Sequence, residues 1–144
     1  MSFDRVKLRA QIARHEGLKL HAYKDSLGFL TIGYGRLIDQ RKGGGLTQEE
    51  ADHLLDNDIY RTCQELDTRI PWWRELDDVR QRVLIDMAFN LGVGGLLTFK
   101  NTLAAVKASD FKKAAANMRK SLWASQVKSR AVRLSEMMET GEDT

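Results

Sequence analysis

Long hydrophobic runs are missing from this chain, and so are most of the residues that staple small proteins together. No stretch approaches the about 18 consecutive apolar residues of a membrane span, and the opening MSFDRVKLRAQIARHEG lacks the apolar centre of a secretory leader. The reading is therefore of a chain made in the cytoplasm. A single cysteine, Cys63, excludes an internal disulfide; it falls in a helical pattern, where a small buried apolar side chain is expected rather than a nucleophile. His15, His21 and His53 have no metal-ligand spacing, and CxxC, HExxH, GxSxG and lysine-bearing phosphate loops are all absent. No cofactor or metal is expected. Proline is nearly absent too, one against eleven glycines, so glycine does the punctuating of a helix-rich chain.

Acidic residues are scarce in one particular place. Between Lys100 and Arg133 there are nine basic residues and a single acid, Asp110. From Glu49 to Asp67 the balance reverses, with seven acids against Arg61. One half of the molecule should thus attract polyanions such as cell-wall polymer, anionic lipid or nucleic acid. At 144 residues, 42% of them hydrophobic, the chain is long enough to bury a core unaided.

The spacing predicts a first helix over residues 3–15, with Phe3, Val6, Ala10 and Ala13 recurring at intervals of three and four and Gly17 as its cap. HAYKDSLGFLTIGYG reads as a β-hairpin turning at Asp25–Gly28, with a third short strand at Arg36–Ile38. Arg41–Gly45 reads as a flexible exposed loop. Thr47 and Glu50 form a capping box for a helix running to about Leu66. Pro71 opens another element. Asp77–Leu91 is the most apolar helix, ended by Gly92–Gly95; helices follow at about Thr98–Ala108, Phe111–Leu122 and Lys128–Glu139, and Thr140–Thr144 should fray. The fold class is α+β and predominantly helical: a small β lobe after one helix, then a helical lobe.

Two carboxylates stand out. Glu16 closes the first helix at the negative end of the helix dipole, a position that disfavours the ionised form and so suits a general acid. Asp25 precedes a tight turn, and Thr31 lies on the returning strand, nearly opposite. A neutral acid facing a carboxylate and hydroxyl that share a water is the requirement of inverting glycoside hydrolysis. Spacing by itself favours an ordinary exposed glutamate beside a turn aspartate. Trp72, Trp73 and Trp123 suit core packing better than a sugar platform; Phe89-Asn90 suits either core and cap or a cleft wall.

Glu16, Asp25 and Thr31, with the surrounding HEGLKLHAYKDSLGFLTIGYG, resemble the opening block of the phage-type lysozymes, the muramidases of the T-even phage kind. DMAFNLGVGG, FKNTL, AAANMRKSLWASQ and SRAVR resemble later blocks of that family in the same order, nearly to the C-terminus. The resemblance implies a lysozyme-like two-lobe domain, with residues 17–60 as the small lobe and linking helix and residues 1–16 and 61–144 as the helical lobe. It implies cleavage of the β-1,4 bond between N-acetylmuramic acid and N-acetylglucosamine in peptidoglycan. Glu16 would be the acid, Asp25 the water-activating carboxylate and Thr31 its assistant. Leu37, Phe89, Thr102 and Asn117 would line the substrate cleft, and Arg130 would stand near Glu16. The family setting implies a monomer made in a host bacterium, reaching the wall through a lesion, with no nucleic-acid partner and no stable membrane insertion, although basic C-terminal helices can contact anionic envelope surfaces. Two departures are visible: Arg36 stands where many members carry histidine, and Asp39–Gly45 is short. Membrane disruption by the basic helices, or a catalytically silent binding module for wall or nucleic acid, are the competing classes.

Overall fold

The computed structural model describes residues 2–144. The chain divides into two compact units, the first ending at His53 and the second being Leu54–Thr144.

In the first unit, α1 (Arg5–Glu16) starts where the Asp4 carboxylate accepts from the Lys7 amide and stops where Gly17, at φ 72°, lets the chain leave the helix. No residue of α1 is buried. Strands β1 (Lys19–Lys24), β2 (Leu30–Gly33) and β3 (Arg36–Leu37) follow as an antiparallel meander in sequence order. Tyr23 pairs with Thr31 and Lys24 with Leu30, while Thr31 pairs with Leu37 on its other side, which makes β2 the central strand.

The segment after β3 departs from the flexible loop expected of Arg41–Gly45. Residues Gln40–Lys42 form a 3-10 turn held by Asp39, which is only 5% exposed. Its carboxylate accepts from the Arg41 guanidinium at 2.7 and 2.9 Å, from the Arg41 amide at 3.0 Å and from the Leu30 amide at 3.3 Å. Three glycines in a row therefore do not make a loose segment here, because a buried carboxylate organises the backbone around them. A side chain at Gly44 would meet the Leu37 carbonyl oxygen at 2.7 Å, so that glycine permits a close approach.

α2 (Gln48–Arg69) begins with the capping box read from the sequence: the Thr47 hydroxyl accepts from the Glu50 amide at 3.1 Å and the Glu50 carboxylate from the Thr47 amide at 2.8 Å. Arg36 grips the same carboxylate at 2.5 and 2.7 Å and so ties β3 to the first turn of α2. The Arg36 bond, with help from the Thr47 amide, brings the Glu50 carboxyl down to about 2.

The second unit carries the hydrophobic core, in which Leu66, Trp73, Val83, Leu84, Met87, Leu96, Met118 and Met138 are essentially inaccessible. Pro71 opens a 3-10 turn, Pro71–Glu75, that drives Trp73 inward, where its indole N–H donates to Asp67 at 2.8 Å. α3 (Asp78–Leu97) runs past the end expected for it: Gly92, at φ 76°, breaks the helix but the backbone resumes it to Leu97. α4 (Lys100–Lys107), α5 (Phe111–Lys120), the short α6 (Leu122–Val127) and α7 (Ser129–Thr140) complete the unit, with α5 packed on both α4 and α7. The C-terminal tail is pinned rather than frayed. Arg80 donates to the Met138 and Glu139 carbonyls at the end of α7, and Arg82 forms a two-pronged pair with Asp143. Cys63 packs half-buried against the core, and burial pushes its thiol up, away from the thiolate a nucleophile needs.

Hydrogen bonds from Arg41, helped by the Leu30 and Arg41 amides, hold the Asp39 carboxyl well below the usual carboxylate range, against the opposing effect of burial. A carboxyl lowered on folding stabilises the fold above its unfolded value, near ~3.9, and that contribution disappears as pH falls toward the folded value. Asp39→Asn should therefore lower the melting temperature at pH 7, with the gap between variant and parent closing below about pH 4. Calorimetric scans across this range check it; a gap that does not depend on pH would mean that the clamp acts through shape alone.

Candidate active site

The three residues singled out at the start of the chain all fall within the first unit, around its central strand. Asp25 follows β1 and begins the turn into β2. Its backbone N–H donates to the Phe29 carbonyl at 2.9 Å and its carbonyl accepts from Gly28 at 3.0 Å. One side-chain oxygen, Oδ1, accepts from the Leu27 amide at 2.9 Å and the Phe29 amide at 2.8 Å. Among the described residues nothing donates to Oδ2. The carboxylate is thus fixed by one oxygen and offers the other.

Thr31 is buried, and its hydroxyl donates to the Phe29 carbonyl at 3.0 Å. With its proton committed there, the hydroxyl oxygen can accept but not donate. Asp25 and Thr31 therefore present two acceptors, both referenced to the backbone of Phe29.

Glu16 is the last residue of α1 and its side chain is exposed. It reaches the turn Gly33–Gly35 that joins β2 to β3. A Cβ placed on Gly35 would lie 2.6 Å from Glu16 Oε2 and 3.0 Å from its carboxyl carbon. Gly35 is also at φ 75°, a conformation that side-chain-bearing residues rarely adopt. The signal for this contact in the sequence is a second glycine two residues after the strand that carries Thr31. The outcome is a strand with Asp25 at its start, Thr31 within it and Glu16 against the turn at its end.

Arg36 is engaged by Glu50 and the Gly45 carbonyl, so its guanidinium acts on the start of α2 rather than on Asp25, whose partners are backbone amides. Leu37 lies half-buried on β3, paired with Thr31.

In the second unit, Thr102 and Asn117 share one groove of about 680 Å³ with Phe99, Trp123 and Gln126. Trp123 is held in place by its indole N–H donating to Asn90 at 2.8 Å and by an edge-on contact with Phe99. Asn90 thus positions a core tryptophan, while Phe89 beside it stays 45% exposed on α3 and is not part of that groove. The Nδ2 group of Asn117 is buried with no acceptor among the described residues. A buried donor without a partner is costly, and a ligand carbonyl or hydroxyl would satisfy it. Arg130 pairs with Asp86 through Nε at 2.8 Å and a terminal nitrogen at 2.6 Å; nothing in the local sequence announces that partner, 44 residues away. No cluster of three or more metal-ligating side chains occurs among the described residues, and no single helix is long and apolar enough to cross a membrane.

Comparison with known proteins gives this arrangement a context. Residues 13–134 match the family model described as phage lysozyme. The pre-baseplate central spike protein Gp5 of Enterobacteria phage T4 is 32% identical over 94% of this chain, which corresponds to 28% of that longer protein. Probable T4-type lysozyme 1 of Dictyostelium discoideum is 29% identical over 88% of this chain and 89% of its own length. The endolysin of Acyrthosiphon pisum secondary endosymbiont phage 1 is 31% identical over 76% of this chain and 73% of its own. The match spans both the end of α1 and the helices of the second unit, and the chain belongs to the phage lysozyme family, peptidoglycan-hydrolysing glycoside hydrolases by class.

Proposed function

We propose that this chain is an endolysin-type muramidase that cleaves the β-1,4 bond between N-acetylmuramic acid and N-acetylglucosamine with inversion at the sugar carbon. The arrangement around Phe29 is the observation that carries this reading. A water donating one proton to Asp25 Oδ2 and the other to the Thr31 hydroxyl oxygen keeps a lone pair free for attack. Glu16 gives its proton to the glycosidic oxygen as that bond to the anomeric carbon breaks. The water oxygen bonds to the same carbon from the opposite face, and its proton passes to Asp25. Exchange with solvent then returns the proton to Glu16.

Leu37, Thr102, Asn117 and Phe89 are proposed to contact the glycan, with Asn117 Nδ2 meeting a substrate oxygen. The chain works as a single lysozyme-like domain and a monomer. It is made inside the host bacterium and reaches the wall through a membrane lesion opened by another component, ending in lysis. Nucleic acid plays no part.

Glu16→Gln should retain the fold by circular dichroism and lose about 10²- to 10⁴-fold in release of reducing ends from purified peptidoglycan. Unaltered turnover would remove Glu16 from the mechanism. Gly35→Ala tests the packing of that carboxyl against the turn. The added methyl falls on the Glu16 side chain, and the variant should lose at least about tenfold in kcat, corresponding to roughly 1.4 kcal/mol, while remaining folded at the assay temperature. An NMR time course of the first-formed anomer decides the stereochemistry: inverted product is expected, and retained configuration would assign Asp25 to direct attack instead.

A further inference from the structure

A second concave site lies in the helical unit, away from Glu16, Asp25 and Thr31 in the sequence and built from different chemistry. The end of α5, α6 and the first turns of α7 enclose a groove of about 570 Å³. Arg119, Lys120 and Lys128 line it, and no carboxylate does. Among the described residues Lys120 and Lys128 make no ion pair, and Arg119 reaches Glu139 only at 3.4 Å. Ser129 adds a hydroxyl without an intramolecular partner, whereas the Ser121, Ser125 and Ser135 hydroxyls already donate to backbone carbonyls. Lys128 takes φ 46°, in the left-handed region uncommon for a residue with a side chain, and supplies no side-chain cap to α7. Around the groove, the segment Lys100–Arg133 carries its large excess of positive charge.

These features describe a receptor for an anion, and the lining narrows which one. A single-stranded nucleic acid would call for aromatic side chains to stack its bases, and none lines the groove. A bilayer would call for a convex or flat face with bulky apolar residues; the apolar lining here is Ala124, Ala131 and Val132, in a concave site. A flexible chain of phosphodiesters without bases satisfies both conditions, since its oxyanions match the lysine and arginine donors and its thin backbone fits a groove. We propose that this groove binds the phosphates of a base-free polyol-phosphate polymer of the bacterial envelope, as a wall-docking site separate from the catalytic residues.

The test titrates the full chain with soluble poly(glycerol phosphate), following backbone amide shifts and heat, at low and physiological salt. Lys120→Gln with Lys128→Gln should weaken binding about tenfold or more, and amide shifts should centre on Lys128, Ser129 and Ala131. Lys112→Gln with Lys113→Gln removes the same charge from exposed positions of α5 outside the groove and should change the affinity less than about twofold. Equal losses from the two pairs would show diffuse attraction and overturn the site. So would absence of polymer binding, or tighter binding, at equal phosphate, to a single-stranded oligonucleotide or to phosphatidylglycerol vesicles. Binding of inorganic phosphate alone with no gain for the polymer would reduce the groove to an anion site and overturn the docking role.

Discussion

The backbone N–H and carbonyl of Phe29 carry the geometry around Asp25 and Thr31. Its carbonyl accepts from the Asp25 amide and the Thr31 hydroxyl, and its N–H donates to the Asp25 carboxylate, at distances between 2.8 and 3.0 Å. Asp25 lies in the turn after β1 and Thr31 on β2, so this one residue fixes their mutual position. The Phe29 ring is held from outside by Arg41 and Lys42, whose charges lie 5.1 and 4.9 Å from its centre. Arg41 is itself clamped by Asp39, which also takes the Leu30 amide next to Phe29. A buried aspartate in a glycine-rich turn thus steadies the strand that carries Thr31 and lies beside Asp25. Two carboxylates divide the work. Asp39 is satisfied on both oxygens and structural, whereas Asp25 is satisfied on one and leaves the other open.

What could be read from the sequence was local. The Thr47–Glu50 capping box, the stop of α1 at Glu16-Gly17 and the turn chemistry of Asp25 all involve residues within four positions of one another, and all three appear in the structure. The assignments that changed depend on a partner brought in by folding. Arg41–Gly45 looked loose because glycine frees a backbone, but Asp39 and Leu37 accept the hydrogen bonds that order it. Gly92 looked like a terminator because its conformation does break α3; burial of Val93 and Leu96 in the core lets the helix resume. The end of the chain looked free because its arginine partners lie about sixty residues earlier. Gly35 was visible as a glycine, but its reason for being one is a carboxylate from another element.

Arginine and lysine take separate roles in this molecule. Every ion pair among the described residues uses arginine: Arg36, Arg41, Arg61, Arg74, Arg80, Arg82, Arg119 and Arg130. The planar guanidinium holds two carboxylate oxygens at once and gives up less hydration, which suits it to bind elements together. Lysines enter none of these pairs. Neutralised arginines contribute little field at a distance, so the positive potential of the Lys100–Arg133 segment comes largely from lysines that form no ion pair among the described residues. An enzyme acting on an insoluble, anionic wall gains from such a field, because attraction raises its concentration at the surface without fixing its orientation. That attraction must stay weak enough for the protein to move between bonds. A few unpaired lysines, screened within about 8 Å at physiological salt, meet this condition where a dense apolar docking face would not.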